Sequence, residues 1–338
     1  MSSLDESGKV LAIASHVVSG YVGNSITTFV LQLLGLETGT LNTVQFSNHA
    51  GYRQLKGFRT SAQQITDLFE GLKMTGQLEA FDMLLTGYVP GEKELEAVGT
   101  IAKEVKQTKR SCFWLLDPVM GDQGRLYVSE GVIPVYKSLI SYADLIVPNQ
   151  FETELLSGVK VNSLESLSRA IDELHLIYKI PHVVITSVTF TNGAQKMKCA
   201  GSSMTSSGAS RKFVIDVPII DGFYSGTGDL FAALTLARLR EFSSEAGLLE
   251  TKSWTPPDET QALDLPLARA IEVVLESMHL VLEKTKAARD RILAAGDEPE
   301  DPVARRIRNT RASELRLVQS RKELLAPGLT SFKAIPLE

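Results

Sequence analysis

Val10-Leu-Ala-Ile-Ala-Ser15 is an unbroken apolar run closed by a polar residue, the pattern of a strand buried on both faces. The segment after it, Gly23 to Leu34, sets Ile26, Phe29, Val30, Leu33 and Leu34 at helical spacing and stops at Gly35. The same alternation continues along the chain. Strands are predicted at Thr38–Phe46, Phe81–Thr86, Cys112–Asp117, Leu145–Val147 and His182–Ser187, and helices at Ser61–Leu72, Glu92–Lys106, Leu164–Tyr178 and Asp229–Arg240. Strands without polar alternation, separated by amphipathic helices, predict an α/β fold whose central, mostly parallel sheet is covered by helices on both faces. Ser15, Thr86, Asp117, Asn149 and Thr186 fall at the C-terminal ends of predicted strands, the edge along which open α/β sheets bind ligands.

No shift of composition marks a boundary, so residues 1–338 are read as one domain. Three stretches stand out as flexible insertions: 191–210, rich in Gly, Ser, Thr and Lys; 243–264, with Trp254, Pro256 and Pro257; and 294–308, which runs from acidic to basic and reads as a solvated linker. The composition is that of a globular protein, 43% hydrophobic and 22% charged. A net charge of −5 argues against a nucleic-acid binder. Cys112 and Cys199 are too few for a disulfide framework or a zinc site. No basic stretch precedes an apolar one at the N-terminus, and no run of about 18 apolar residues occurs anywhere. The expectation is a protein of the cytoplasm, with the nucleus as an alternative, and no membrane partner.

The segment richest in chemistry is Asp221-Gly-Phe-Tyr-Ser-Gly-Thr-Gly-Asp229, which runs directly into a helix. Gly226 and Gly228, on either side of Thr227, allow backbone N–H groups to turn toward an anion, and a helix start adds its unpaired amides. Asp229 then has two readings. It is a general base that takes a proton from an attacking hydroxyl while the Gly226–Gly228 amides hold phosphoryl charge, or it is a helix cap. No G-x-x-x-x-G-K-[ST] is present, so the chain is not a P-loop enzyme.

Five further segments, together with this one, resemble pyridoxal kinase, a family of the ribokinase-like superfamily. They are Ser15-His-Val-Val-Ser-Gly-Tyr-Val-Gly-Asn24, Val44-Gln-Phe-Ser-Asn-His49 with Gly51-Tyr52, Leu85-Thr-Gly-Tyr88, Asp117-Pro-Val-Met-Gly-Asp122 and Pro148-Asn-Gln-Phe-Glu-Thr-Glu-Leu-Leu156. Ser313-Glu-Leu-Arg-Leu-Val-Gln-Ser320 extends the match toward the C-terminus. The resemblance implies a three-layer α/β/α ribokinase-like fold and ATP-dependent phosphorylation of the 5′-hydroxymethyl group of pyridoxal, with pyridoxine and pyridoxamine as further substrates. It also implies Mg²⁺, activation by a monovalent cation such as K⁺, and a homodimer.

Carried residue by residue, the resemblance makes Asp229 the base and Gly226, Thr227 and Gly228 the anion hole. Ser15 would bind a polar group of the pyridine ring, with Val44, Phe46 and Tyr88 lining it; ordinary strand packing is the other reading of Val44 and Phe46. His49 either faces the substrate aldehyde or is a hydrogen-bonded loop histidine. Tyr127 would stand on a flap, 121–128, over the site. Thr186, Ser187, Phe223 and Asn149 would contact ATP, and Asp117 and Glu152 would hold Mg²⁺, although turn capping also accounts for Asp117, Asn149 and Glu152.

Two departures stand against the resemblance. Ala50 replaces a threonine whose hydroxyl contacts the substrate, and Val147 replaces a threonine before the Pro-Asn pair. The alternatives are another ribokinase-like kinase, acting on hydroxymethylpyrimidine or a sugar, and a catalytically silent vitamin-binding relative.

Overall fold

The apolar runs pair into one ten-stranded sheet. The computed structural model describes residues 8–190, 195–328 and 331–338; the reading of the first seven residues and of 191–194 lies outside that range. The strands are β1 (Lys9–Val17), β2 (Glu37–Phe46), β3 (Gly57–Arg59), β4 (Met83–Thr86), β5 (Phe113–Leu116), β6 (Gly121–Asp122), β7 (Arg125–Leu126), β8 (Leu145–Ile146), β9 (His182–Val188), β10 (Lys196–Met204), β11 (Ser210–Pro218) and β12 (Ile335–Pro336). The sheet order is β12-β11-β10-β9-β8-β5-β4-β1-β2-β3, with β6 and β7 forming a separate hairpin. From β2 across to β9 every pairing is parallel. The antiparallel pairings lie at the edges, with β3 on one side and β10, β11 and β12 on the other.

Successive side chains of a strand face opposite ways, and the core divides accordingly. Met83 and Leu85 join one apolar cluster with residues of the Asn24–Leu33, Thr227–Glu245 and Pro266–Ala294 helices. Leu84 joins the other, with residues of the Ala62–Met74, Glu92–Thr108, Val132–Leu139 and Leu164–Tyr178 helices. The sheet is therefore the middle of three layers, as expected. The predicted helix at 164–178 starts on a Ser163–Ser166 capping box, and Ser61 with Gln64 closes another ahead of the Ala62–Met74 helix.

The three expected insertions differ from their compositional reading. The hairpin reading of 191–210, with strand ends at Met197–Ala200 and Lys212–Asp216, extends further than expected: 196–204 and 210–218 form a long antiparallel pair, in register from Lys196↔Pro218 to Met204↔Ser210. The small residues there serve packing: a side chain at Gly201 would overlap the Phe213 ring. The 243–264 stretch is largely exposed, as read, but it is anchored in the core. Trp254 is 5% exposed and stacks on Phe113 with ring centroids 4.0 Å apart. The adjacent Ser253 carbonyl accepts from His182 Nε2 at 2.7 Å, and its hydroxyl donates to Asp144 Oδ1 at 2.6 Å. The linker read at 294–308 ends in a helix, Pro302–Ala312, capped by Asp301. Arg308 donates to the carbonyls of Ile292, Leu293 and Gly296, tying that helix to the end of the preceding one.

The Trp254 packing gives a direct test. Trp254→Ala empties a core position against Phe113 and should cost about 3–5 kcal/mol of stability, read as a lower urea midpoint at unchanged slope. A surface tryptophan would leave the midpoint where it is.

Candidate active site

The helix Thr227–Glu245 begins with Gly226 as N-cap in the left-handed region, φ 87°, and no side chain caps its first amides. A side chain at Gly226 would overlap the Tyr21 carbonyl, so the turn requires glycine on two counts. Asp229 lies in the first turn and does not cap it. Its carboxylate accepts instead from the Gly23 N–H, and burial pushes its pKa up to about 6, an effect that this bond opposes. The helix cap reading of Asp229 fails here. The helix presents uncapped N–H groups, the dipole's positive end and a carboxyl that titrates near neutrality, which together suit an anion next to a proton acceptor.

Beside this turn the ends of β1 and β2 separate. Their register shifts between Ala14 and His16, at Ser15. Asn24, fully buried, wedges the gap: its Nδ2 donates to the Ala14 carbonyl (3.2 Å), the Leu41 carbonyl (3.0 Å) and Asn42 Oδ1 (2.8 Å). Gly23, at φ 52°, packs against Ser15 so closely that any side chain would overlap the Ser15 carbonyl and hydroxyl. Ser15 and Phe46 are half-buried and Val44 is buried at these strand ends. Tyr88 follows β4, its carbonyl accepting from Thr43 Oγ1 at 2.8 Å. Gly87 leaves open the space between Ala14 and Asp229: a Cβ there would sit 3.9 Å from Asp229 Oδ1. Ser15, through Gly23, and the Gly87-Tyr88 turn thus border Asp229.

The other wall is acidic. Asp117, at the end of β5, is 7% exposed. Burial, then the charges of Glu152 and Asp229, push its carboxyl well above the usual range. A Cβ on Gly228 would lie 4.0 Å from Asp117 Oδ2, so Asp117 faces the glycine turn. Asn149 and Glu152 form a capping box, as the capping alternative held. Glu152 Oε1 accepts from the Met120 and Gly121 N–H groups at 2.8 and 3.3 Å, and Oε2 from the Asn149 N–H at 3.0 Å. Burial raises Glu152 to about 7 against the pull of those bonds. Both of its oxygens are engaged by backbone, so Glu152 braces the loop behind Asp117, and of the two expected metal residues Asp117 is the one turned to the glycine turn. Asn149 Nδ2 donates to the Gly121 carbonyl at 2.8 Å, anchoring the flap.

The flap is the β6–β7 hairpin. Its turn, Gln123 and Gly124, has positive φ at both residues, the twist that a two-residue hairpin demands. Tyr127 projects from its end, 58% exposed. Thr186 and Ser187 are half-buried at the end of β9, with the Thr186 N–H donating to the Pro148 carbonyl at 3.0 Å. Phe223 is exposed on the loop before Gly226. His49, Gly51, Phe223 and Ser225 line one pocket of about 200 Å³, so the loop after β2 and the glycine loop face each other.

His49 is the hydrogen-bonded loop histidine of the two readings. It is buried, with Nε2 on Glu314 Oε1 at 3.0 Å and Nδ1 accepting from the Gly51 N–H at 3.2 Å. Sequence reasoning missed Glu314, Asn24 and Tyr136. The first two stood inside the family-like segments without a role. The third is a fully buried tyrosine whose hydroxyl has no hydrogen-bond partner among the described residues and whose pKa is raised by burial, then by Asp117, Glu152 and Tyr88. No long-range contact of this kind leaves a periodic trace in a sequence.

Residues 82–251 match the phosphomethylpyrimidine kinase family model. The chain is 40% identical to a putative pyridoxal kinase of Schizosaccharomyces pombe, covering 95% of this chain and 96% of that one. It is 35% identical to the pyridoxal kinase of Homo sapiens over 96% of this chain and 98% of the other. The pyridoxal kinase of Leishmania donovani, solved in complex with ADP and pyridoxamine, superposes with a TM-score of 0.78 at 29% identity, covering 98% of this chain and 99% of that one.

The half-buried Asp229, with its desolvated carboxyl, predicts a pH signature in stability. Its folded pKa is raised from 3.8 to about 6. Its contribution to stability is therefore fully present below the unfolded value and is lost as pH rises through about 6. Asp229→Asn removes the ionisation while keeping the size. The variant should melt higher than the wild type at about pH 8, with the difference closing at about pH 4. A constant difference across that range would contradict the desolvated-carboxyl assignment.

Proposed function

The chain belongs to the pyridoxal kinase family, and from that membership and the geometry above we propose that it transfers the γ-phosphoryl group of ATP to the 5′-hydroxymethyl oxygen of pyridoxal, giving pyridoxal 5′-phosphate. Pyridoxine and pyridoxamine are substrates of the same site. Leishmania donovani pyridoxal kinases bound to ADP with pyridoxamine or with pyridoxine support this vitamer range. Matches over nearly the full length favour this reading over a hydroxymethylpyrimidine or sugar kinase.

The observation that carries the mechanism is the pairing of Asp229 with an uncapped helix start. The hydroxymethyl oxygen attacks the γ-phosphorus as Asp229 takes its proton, a transfer suited to a carboxyl held near pH 6. The charge that spreads over the phosphoryl oxygens meets the amides of Gly226, Thr227 and Gly228 and the dipole end behind them. Ser15, Val44, Phe46 and Tyr88 orient the ring. Thr186, Ser187, Asn149 and Phe223 border the nucleotide, and Tyr127 closes over the crevice on its hairpin.

Mg²⁺ fits this site at Asp117. That carboxyl is buried among Glu152 and Asp229, whose charges oppose its ionisation, and a divalent cation supplies the missing counter-charge. Among the described residues no three metal-ligating side chains cluster. The ion would therefore complete its shell with phosphate oxygens and water, as Mg²⁺ commonly does. Activation by K⁺ is part of the same reading. So is a homodimer, supported by the exposed apolar Val18 and Phe58 beside the β2 loop. Cys112 and Cys199 are buried free thiols, which supports the reducing cytoplasm. Among the described residues no helix is long and apolar enough to cross a membrane.

Coupled ATP turnover with and without pyridoxal tests the activity, and Asp229→Asn tests the mechanism. The variant keeps size and the Gly23 contact but cannot accept a proton. Its kcat should fall by about 10²–10⁴, while ATP and pyridoxal bind as before. A folded variant with near-normal kcat would remove Asp229 from the base role.

A further inference from the structure

We propose that Glu314 is a positioning residue for the active site: one carboxylate, supplied from near the C-terminus, locks together the turns that follow β1 and β2, and through them fixes the vitamer pocket and the glycine turn. The proposal rests on the kinase reading above.

Glu314 has 13% side-chain exposure. Its Oε1 receives His49 Nε2 at 3.0 Å and the Tyr52 hydroxyl at 2.9 Å, and its Oε2 receives the Tyr21 N–H at 3.2 Å. The three donors lie 262 to 293 residues away in sequence, so each bond closes a very long loop. Gly20 makes room for the carboxylate: a Cβ there would stand 2.7 Å from Oε1. Burial alone would disfavour the charge, yet the bonds from His49 and Tyr52 hold Glu314 below the usual carboxylate range. Tyr52 is pushed up to about 12 by burial and by Glu314, so it stays a donor at any working pH.

The hydrogen bonds also set the histidine. Because Nδ1 accepts from the Gly51 N–H, the proton sits on Nε2 and points at Glu314. The His49 and Tyr52 rings pack at 4.9 Å, closing the turn in which Ala50 and Gly51 sit. On the other side, Tyr21 carries the constraint inward. Its carbonyl backs directly onto Gly226, and two residues later the Gly23 N–H meets Asp229. Glu314 lines the pocket beside His49 and Gly51 and holds both turns through its two carboxylate oxygens.

Glu314→Gln isolates this role, since glutamine keeps the shape but offers one acceptor oxygen to three donors. Steady-state kinetics for both substrates, melting temperature and histidine ¹⁵N spectra are measured on the wild type, Glu314→Gln and Tyr52→Phe. In Glu314→Gln the KM for pyridoxal should rise about tenfold, the size of one or two charge-assisted hydrogen bonds. The KM for ATP should stay within about twofold, and the His49 signal should lose its single Nε2–H form. Tyr52→Phe removes one donor and should fall between the two, which keeps the test available if Glu314→Gln does not fold. An unchanged pyridoxal KM in a folded variant overturns the proposal. So does a rise in both KM values that tracks a fall in melting temperature, since that is stability alone. If the wild type itself fails to turn over pyridoxal, the kinase reading falls; pyridoxal dissociation constants and the His49 signal of the same proteins then decide the clamp by themselves.

Discussion

Burial first, and then the charges of Glu152 and Asp229, raise the cost of ionising Asp117. Buried like charges are unfavourable unless the surrounding framework enforces them. Here the framework is the parallel sheet. Asp117 leaves β5 with its N–H on the Thr86 carbonyl, Glu152 is gripped by three backbone N–H groups, and Asp229 rides on a helix whose flank is core. The apolar strands supply the rigidity and the strand ends concentrate the strain. A site so arranged favours whatever brings positive charge or gives up a proton, as a divalent cation or an ionising hydroxyl would.

Glycine is the second recurring device, and at two positions the geometry leaves no substitute. Gly226 turns left-handed against the Tyr21 carbonyl, and Gly23 turns against Ser15. Both bring backbone against backbone where a methyl group would separate the two walls of the crevice. The same close approach lets a main-chain N–H, from Gly23, reach the Asp229 carboxylate, so the turn that packs against Ser15 also tunes Asp229.

Much of this was legible in the sequence because it is local. The β-α alternation, the capping serines and the DGFYSGTGD run each depend on neighbours a few residues apart, and the strands, helices and glycine turn fall where those signals put them. The 196–204 strand was legible only in part: Met197–Ala200 read as a strand end, while Gly201 to Met204 read as hairpin tip, although Gly201 is small because the Phe213 ring leaves no room for a side chain. Trp254 likewise stands among Pro and Thr residues that suggest a surface, and its burial is decided by Phe113, 141 residues away. Glu152 carried the right type for a metal ligand at the right place. Only the three N–H groups around it show that its oxygens are already in use.

The two departures from the family pattern take different forms in the structure. Val147 is buried in the apolar cluster beneath the sheet end, so a hydroxyl there is replaced by packing and the loss falls on the strand end beside Asn149. Ala50 is exposed at the start of a short 3₁₀ turn whose two flanks, His49 and Tyr52, are both held by Glu314. The turn therefore keeps its shape without a hydroxyl at position 50, and in the proposed site the substitution would remove one contact to the ligand, worth about 0.5–1.5 kcal/mol. A loss of that size would weaken vitamer binding while leaving Asp229, the glycine turn and Asp117 in place. On the proposed function, the tightness of pyridoxal binding and the rate of phosphoryl transfer would then vary separately.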